Sequence, residues 1–198
     1  MKVNQINWFG LAGGIVTIIL VIASLMVAPW WQLGIGQGLG QANLSPLNFS
    51  FSLLGTPVTI PLIWFLNVAC TLSLIASAIA ILIYSVIPTR HFSEHLLGFA
   101  YNKPLITVII FLASLFVVTY LAGTMFQASI PLAGSTNLTL ESSEATVNVL
   151  VTTGFTWVFW LGIIATTLCI VARIYHGRIA PEQTTAPVTT AAPPAATA

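Results

Sequence analysis

Four long stretches of this chain contain almost no charged residue. Residues 8–29, 60–87, 104–127 and 149–174 carry no Asp, Glu, Lys or Arg before Arg173 at the last edge. A helix rises about 1.5 Å per residue, so each stretch is long enough to cross a hydrocarbon core of about 30 Å. Backbone groups in that core bond only within the protein, and uninterrupted apolar runs favour helices over a closed barrel. The pattern predicts four membrane-spanning helices.

The first connection, residues 30–59, shows a different period. Two of its segments alternate apolar and polar positions, with the apolar positions at Trp31, Leu33, Ile35, Phe49, Phe51 and Leu53. A period of two indicates half-buried strands. Gly55-Thr56-Pro57 predicts a turn, and Val58 and Ile60 form a third short extended run. The prediction is a small antiparallel sheet over the outer mouth of the helix bundle.

Two features of the connections leave alternatives open. Gly36, Gly38 and Gly40 predict a loose link between the alternating runs, and the whole loop could instead be unstructured, with its aromatic residues dipping into lipid. The second connection, residues 128–148, is shorter and polar. Thr146-Val147-Asn148 at its end could add a strand or lead directly into the fourth span.

Composition supports a single membrane domain over residues 1–179. The chain of 198 residues is 57% hydrophobic and 5% charged, against about 25% charged residues in soluble domains. Residues 88–103 form a connection that opens with Pro88 and is followed by Pro104, and both prolines are predicted at helix boundaries. The Thr-, Ala- and Pro-rich residues 180–198 cannot bury enough apolar surface to fold and are predicted to be a disordered cytoplasmic tail.

The positions of the charges predict an orientation in the membrane. All five basic residues precede the first span, separate the second from the third, or end and follow the fourth; they are Lys2, Arg90, Lys103, Arg173 and Arg178. The positive-inside rule therefore places both termini and residues 88–103 in the cytoplasm. Three glycosylation sequons, at Asn43, Asn48 and Asn137, all lie in the two connections predicted to be external. The formal net charge of +1 argues against a nucleic-acid partner, because five cations cannot form a phosphate-binding stripe.

The first span is predicted to be a retained anchor. Its apolar run is longer than the roughly 7 to 15 residues of a signal-peptide core, and Pro29 follows Ala28, a poor context for cleavage. A removable signal peptide is the alternative, and its loss would leave three spans.

Candidate chemistry is sparse. No charged residue is predicted within hydrocarbon depth, which argues against ion-coupled transport. His91, His95 and His176 lie at the inner edge, where they could not hold a haem in the bundle core. His91-Phe92-Ser93-Glu94-His95 matches the H-x-x-E-H zinc pattern, but a catalytic zinc needs a third ligand that only His176 or Glu182 could supply, so we expect neither a metal nor a cofactor.

The two cysteines are predicted to be unpaired thiols. Cys70 lies near the outer end of the second span and Cys169 near the inner end of the fourth, so their depths differ by more than the roughly 7 Å limit for a disulfide. Small residues are predicted to allow close helix packing within the chain, with subunit association as the alternative; they are Gly10, Gly14, Ala69, Ser73 and Ser77.

The first connection begins with Trp30 and Trp31 at the membrane, continues with strand-like runs, and is longer than the second connection. In this arrangement of four spans with both ends inside, the chain resembles the claudin and peripheral-myelin-protein superfamily. The cysteine pair in that family's first loop is absent here. The resemblance implies a protein that makes contacts rather than a catalyst. It marks four residues as candidates for packing or partner contact, namely Trp30, Trp31, Phe49 and Phe51.

The leading hypothesis is a non-enzymatic protein of the cell membrane that mediates lateral or cell-surface contacts, as a homo-oligomer or with other membrane proteins. It predicts that polar residues at Phe49 and Phe51 would weaken assembly or displace the loop. One alternative is an accessory subunit of a respiratory or transport complex. Another is an enzyme or carrier for an apolar substrate, which would need an internal cavity lined by groups such as Asn67, Ser73 and Thr156.

Overall fold

Four helices long and apolar enough to span a membrane form the body of the molecule, as predicted. The computed structural model describes residues 6–26, 28–36, 38–58, 61–87, 93–126, 130–142 and 145–179. The predicted disordered tail, residues 180–198, lies outside these ranges. The helices are α1 (Trp8–Met26), α2 (Pro61–Val86), α3 (Ser93–Phe126) and α4 (Trp157–Ile179). They pack in a ring in which α1 contacts α2 and α4, and α3 contacts the same two helices.

The third helix begins at Ser93, not at residue 104, so the predicted boundary at Pro104 is wrong. Pro104 lies inside α3 and is fully buried. A proline has no N–H, so the carbonyl of Ala100, four residues earlier, lacks its helical donor. Ser77 of α2 supplies a replacement, with its Oγ donating to Ala100 O at 2.6 Å. A proline is tolerated in a membrane helix where a neighbouring hydroxyl satisfies the freed carbonyl in this way.

The fourth helix begins at Trp157, so the predicted span over residues 149–174 is wrong at its start. Residues 149–155 belong to a strand instead. This segment is rich in Val and Thr, whose branched side chains pack well on a pleated sheet. Periodicity does not distinguish a short apolar strand from a buried helix. In the sequence this strand runs directly into the apolar helix that follows, so the two were predicted as one span. Thr156 ends the run and caps α4, since its Oγ1 accepts a hydrogen bond from Val158 N at 3.2 Å.

Both connections contribute to one six-stranded antiparallel sheet, which is larger than the predicted sheet from the first connection alone. Its strands are β1 (Trp31–Ile35), β2 (Gly40–Leu44), β3 (Phe49–Leu53), β4 (Thr56–Val58), β5 (Gly134–Ser142) and β6 (Ala145–Phe155). They lie in the order β4-β3-β2-β1-β6-β5, so β6 from the second connection pairs with β1 from the first. The second connection therefore adds strands, one of the two outcomes left open.

The predicted loose glycine link is a tight hairpin between β1 and β2. Gly40 is the first residue of β2 and lies opposite Ile35 of β1, so it is part of the sheet. Gly36 and Gly38 have φ angles of 59° and 93°, a left-handed conformation that favours glycine. These glycines allow the chain to reverse within a few residues.

The alternation predicted in the first connection is confirmed. On one face, Trp31 lies opposite both Leu44 and Phe155, and this face is turned toward the helices. On the other face, Gln32 is exposed and lies opposite Asn43 and Gly154. The sheet therefore has an apolar face packed on the bundle and a polar outer face, as expected of an antiparallel sheet with one solvated side.

Trp30 fixes the sheet to the bundle. Its side chain is fully buried, and its ring lies edge-on to Phe111 of α3 at 5.1 Å between centroids and against Gly162 of α4. Its Nε1 donates to Ser24 Oγ of α1 at 2.9 Å. Its backbone N–H donates to Leu44 O at 3.0 Å, which places it beside the sheet. One side chain thus contacts three helices at the base of the sheet.

A buried polar network closes the opposite end of the bundle. Asn7 caps α1, since its Oδ1 accepts from Gly10 N at 3.1 Å. Its Nδ2 donates to Tyr84 Oη and to Ala172 O, both at 3.0 Å. Tyr84 Oη also lies 2.8 Å from Nδ1 of His176. This network joins α1, α2 and α4 by groups that would be costly to leave unpaired.

Glycines on two faces of α1 explain how closely its neighbours approach. A Cβ at Gly14 would lie 2.7 Å from the Leu82 side chain of α2, and one at Gly10 would collide with Ser85. A Cβ at Gly13 would lie 3.2 Å from Cys169 Sγ of α4. The predicted role of Gly10 and Gly14 in close helix packing within the chain is confirmed.

Candidate functional site

The register between α2 and α3 determines the depth of the residues on α3. Ser77 Oγ bonds Ala100 O at 2.6 Å, and Cys70 Sγ lies 3.8 Å from Thr107 Oγ1. Because α2 and α3 run antiparallel, the residues between these two contacts on α2 lie at the same height along the bundle as those between them on α3. Lys103 therefore lies opposite the middle of α2, which runs from Pro61 to Val86.

Lys103 thus lies inside α3, within its candidate membrane span, and not in a connection as predicted. The span on α3 extends over His95–Leu121 and includes it. The sequence placed Lys103 in a connection because Pro104 was assigned to the helix start. Lys103 is therefore a charged residue within a candidate span, the feature whose predicted absence weighed against ion-coupled transport.

The surroundings of Lys103 stabilise its charge only in part. Its side chain is half-buried, and Nζ lies 5.1 Å from the centroid of the Phe99 ring, a cation–π contact with a residue of the same helix. Such a contact contributes about 0.5–2 kcal/mol. A lysine at the centre of a membrane helix costs about 2.5–3.5 kcal/mol on insertion scales. Charged residues at this depth are usually functional.

A cleft of about 510 Å³ runs between α2 and α3, and Lys103 lies on its wall. The β2–β3 connection closes it at the sheet end, where Pro46 and Phe49 line it. Most of its wall is apolar, and its polar groups are Ser45, Asn67, Cys70, Ser73, Thr107 and Ser114. No carboxylate is among the described residues that line it. The cleft is therefore an apolar space with one positively charged group.

Asn67 holds the sheet end of this cleft in place. With its amide nitrogen directed at the β2–β3 connection, Asn67 donates to Pro46 O at 3.1 Å and accepts from Phe49 N at 3.0 Å. The orientation of the amide follows from these two partners. The polar group of Asn67 is thus used in joining α2 to the sheet.

The half of α2 nearer the sheet projects between two clefts. The second cleft, of about 470 Å³, lies on its other side and is lined by Leu25 of α1, by Phe51 and by Trp64. Between the clefts, α2 exposes large apolar side chains, at Leu62, Trp64, Phe65, Leu66 and Leu72. This half of α2 is a ridge with a groove on each side.

The four candidate contact residues separate into two groups. Trp30 and Trp31 are 0% and 1% exposed, and their indole N–H groups donate to Ser24 Oγ and to Leu132 O within the chain. They are packing residues, and a partner cannot reach them. Phe49 and Phe51 are half-buried and line the clefts beside α2, Phe49 both of them.

The three sequon asparagines occupy different settings. Asn137 is exposed on edge strand β5, and Thr139 of the same sequon donates to Asn148 Oδ1 at 2.9 Å. Asn43 Nδ2 donates to Ser50 Oγ at 3.2 Å. Asn48 is exposed but lies beside Leu25 and Met26, at the end of α1. Of the three, Asn137 is the one that lies exposed on an edge strand of the sheet.

The cysteines are unpaired, as predicted. Cys70 lies beside Thr107, and Cys169 is buried against Gly13 of α1. Of the zinc pattern, His91 and the side chain of Glu94 lie outside the described part of the chain, so this pattern stays a sequence motif. The cavity proposed for a carrier of apolar substrates is present in part: Asn67 and Ser73 line the α2–α3 cleft, whereas Thr156 bonds Pro29 O at 2.5 Å elsewhere.

Lys103 and the cleft were missed by sequence reasoning. In the sequence, the apolar residues Leu97 and Ala100 precede Pro104 at helical spacing, which is a local signal for a longer helix but not for the cleft or for the depth of Lys103. Comparison with models of protein families gave no match, and comparison with curated proteins gave none.

Proposed function

We propose that this chain is a non-enzymatic membrane protein whose role is lateral assembly with other membrane proteins. The observation that carries the proposal is the ridge formed by the half of α2 nearer the sheet, with a cleft on each side. Lipid tails are as apolar as Leu, so exposed apolar residues alone do not mark an interface. Helix association in membranes is driven by close packing, and a ridge between two grooves offers a partner helix more contact than a smooth helix face does.

The positions of Phe49 and Phe51 favour lateral over cell-to-cell contact. Both line the clefts beside α2 and lie on the membrane side of the sheet. A partner that reached them would approach within the membrane plane. The architectural resemblance to the claudin and peripheral-myelin-protein superfamily is consistent with this role, because it too implies contact rather than catalysis.

The proposed orientation places the sheet outside the cell and both termini in the cytoplasm. Arg173 and His176 lie at the end of the bundle opposite the sheet, while all three sequons lie on or beside the sheet. The positive-inside rule favours the cytoplasm for the first end. External placement of the second end is what glycosylation requires.

A matched pair of tryptophans tests the proposal. Trp64 is the fourth residue of α2 and Trp160 the fourth residue of α4, and they are 64% and 59% exposed. We expect Trp64→Ala to reduce assembly at least about tenfold, because the ridge loses its largest side chain, and Trp160→Ala to leave it unchanged. The measurement is the intact mass of the complex purified from native membranes in mild detergent. A wild-type chain that is monomeric and without partners would refute the proposal.

A carrier of an apolar substrate is the second candidate, because the α2–α3 cleft has the two lining residues Asn67 and Ser73 that this function was predicted to need. The carrier hypothesis differs from the assembly hypothesis in what fills the cleft, which would be a small molecule and not part of a partner protein. Native mass spectrometry that shows a small molecule bound stoichiometrically to a lone chain, and lost in Ser73→Phe, would favour the carrier.

A further inference from the structure

The cleft between α2 and α3 combines apolar walls with one ammonium group, that of Lys103, eight residues inside the candidate span His95–Leu121. We propose that this cleft receives a membrane-spanning helix of a different polypeptide, and that a carboxylate on that helix pairs with Lys103. This inference rests on the lateral assembly proposed above and specifies the chemistry of the partner.

The charge of Lys103 defines what the partner supplies. Charged side chains in membrane spans pair with one another or face a water-filled space. The contact that the structure gives to Nζ is the uncharged Phe99 ring, and the described lining of the cleft contains no Asp or Glu. An Asp or Glu of a second helix at the same depth neutralises this charge in the absence of water.

The depth of Lys103 favours a helix over a lipid headgroup. Headgroups lie at the surfaces of a hydrocarbon core about 30 Å thick, roughly 15 Å from its centre. Lys103 lies eight residues, or about 12 Å along the helix axis, inside the nearer end of the candidate span, His95. A lipid phosphate would have to leave the surface to reach it, whereas a side chain on a helix is held at any depth by its position in the sequence.

The shape of the cleft suits a helix. On α3 its wall extends from Lys103 to Val118, which are 15 residues apart and so about 22 Å along the axis. This length is about four helical turns. Ala69, Ser73 and Ser114 line it, and small side chains let helix backbones approach closely.

A second copy of this chain does not supply the carboxylate. Its four acidic residues are Glu94, Glu141, Glu144 and Glu182. Glu141 belongs to the sheet, and Glu144 and Glu182 lie outside the four spans. Glu94 precedes Lys103 by nine residues on α3, so it lies about 13 Å farther from the sheet along the helix axis. The partner is therefore a different protein, which favours a role as a subunit of a mixed membrane complex.

The test uses the full chain in phosphatidylcholine vesicles with a synthetic polyleucine membrane helix as the probe. One peptide carries a single Glu at its centre and the control carries Gln. Energy transfer between the labelled chain and the labelled peptide reports association. We expect the Glu peptide to bind at least about tenfold more tightly than the Gln peptide.

Variants at Lys103 test whether its ammonium group recognises the carboxylate of the peptide. Lys103→Met should abolish the preference for Glu over Gln, and Lys103→Arg should retain it. Lys103→Glu should reverse it, so that a peptide with a central Lys binds in place of the Glu peptide. The reversal shows that Lys103→Glu is folded and that charge pairing, not loss of structure, governs its binding; binding of the Gln peptide at the wild-type level shows the same for Lys103→Met.

Three outcomes would overturn the proposal. They are equal binding of the Glu and Gln peptides to the wild-type chain, an unchanged preference in Lys103→Met, and displacement of the Glu peptide by phosphatidylglycerol, which would make an anionic lipid the occupant. A wild-type chain that is monomeric in native membranes would be a separate result, because it would reject lateral assembly itself. Native assembly that persists undiminished in Lys103→Met would retain the assembly role and reject the carboxylate partner.

Discussion

Single residues determine how the sheet is attached to the bundle. Trp30 is fully buried among three helices, and Gly162 is level with its ring, so that a Cβ there would lie 3.1 Å from the indole. Aromatic side chains of this size dominate the packing energy where they are enclosed. Trp30, a candidate for packing or for partner contact in the sequence, is therefore an internal anchor, because its N–H donates to Ser24 within the chain.

Replacing Trp30 should show its structural role. Trp30→Phe loses the hydrogen bond to Ser24 and leaves a cavity, so we expect a loss of about 2–3 kcal/mol in the free energy of unfolding. Trp160→Phe, at a site 59% exposed, should cost less than about 0.5 kcal/mol. Reversible denaturation of the purified protein in detergent measures both. Equal costs would contradict an anchoring role for Trp30.

At the scale of elements, Pro104 and Ser77 form one unit on two helices. The proline frees the carbonyl of Ala100 and the serine bonds it. This pairing allows α3 to continue as one helix of 34 residues. Lys103 consequently lies inside a span.

A double-mutant cycle tests this pairing. Ser77→Ala should cost about 1–2 kcal/mol in the wild-type background, because it leaves a buried carbonyl unpaired. In Pro104→Ala the new N–H can bond Ala100 O, so the same change should cost about 1 kcal/mol less. Ser85→Ala is the control, since Ser85 Oγ bonds Ile81 within its own helix. Equal costs of Ser77→Ala in both backgrounds would refute the pairing.

The sequence predicted those elements whose pattern is local. Alternation from Trp31 to Ile35 predicted a strand, and four apolar runs predicted four helices. It failed at Pro104 and at residues 149–155, where the deciding partner is distant: Ser77 satisfies the carbonyl, and β1 pairs with β6. The cleft could not be predicted from the sequence for the same reason, because the position of Lys103 relative to α2 follows from contacts between α2 and α3.

At the scale of the whole molecule, the two ends of the bundle are chemically distinct. One end carries a sheet with a polar outer face built from both connections. The other is closed by the Asn7 network and lies near Arg173 and His176. Because the two ends differ, the side of the membrane that one end faces determines the orientation of the whole bundle. Modification of one residue at either end would therefore report that orientation.

Asn137 is the residue suited to report that orientation. It is exposed on the edge strand β5, whereas Asn43 is bonded to Ser50 and its sequon includes the buried Ser45. Expression in a eukaryotic membrane system should give a glycosidase-sensitive mass that Asn137→Gln removes and Asn43→Gln keeps. A new acceptor sequon placed in residues 88–92 should stay unmodified. Glycan at that new sequon, with none at Asn137, would invert the proposed orientation and place the sheet and the open end of the clefts on the cytoplasmic side.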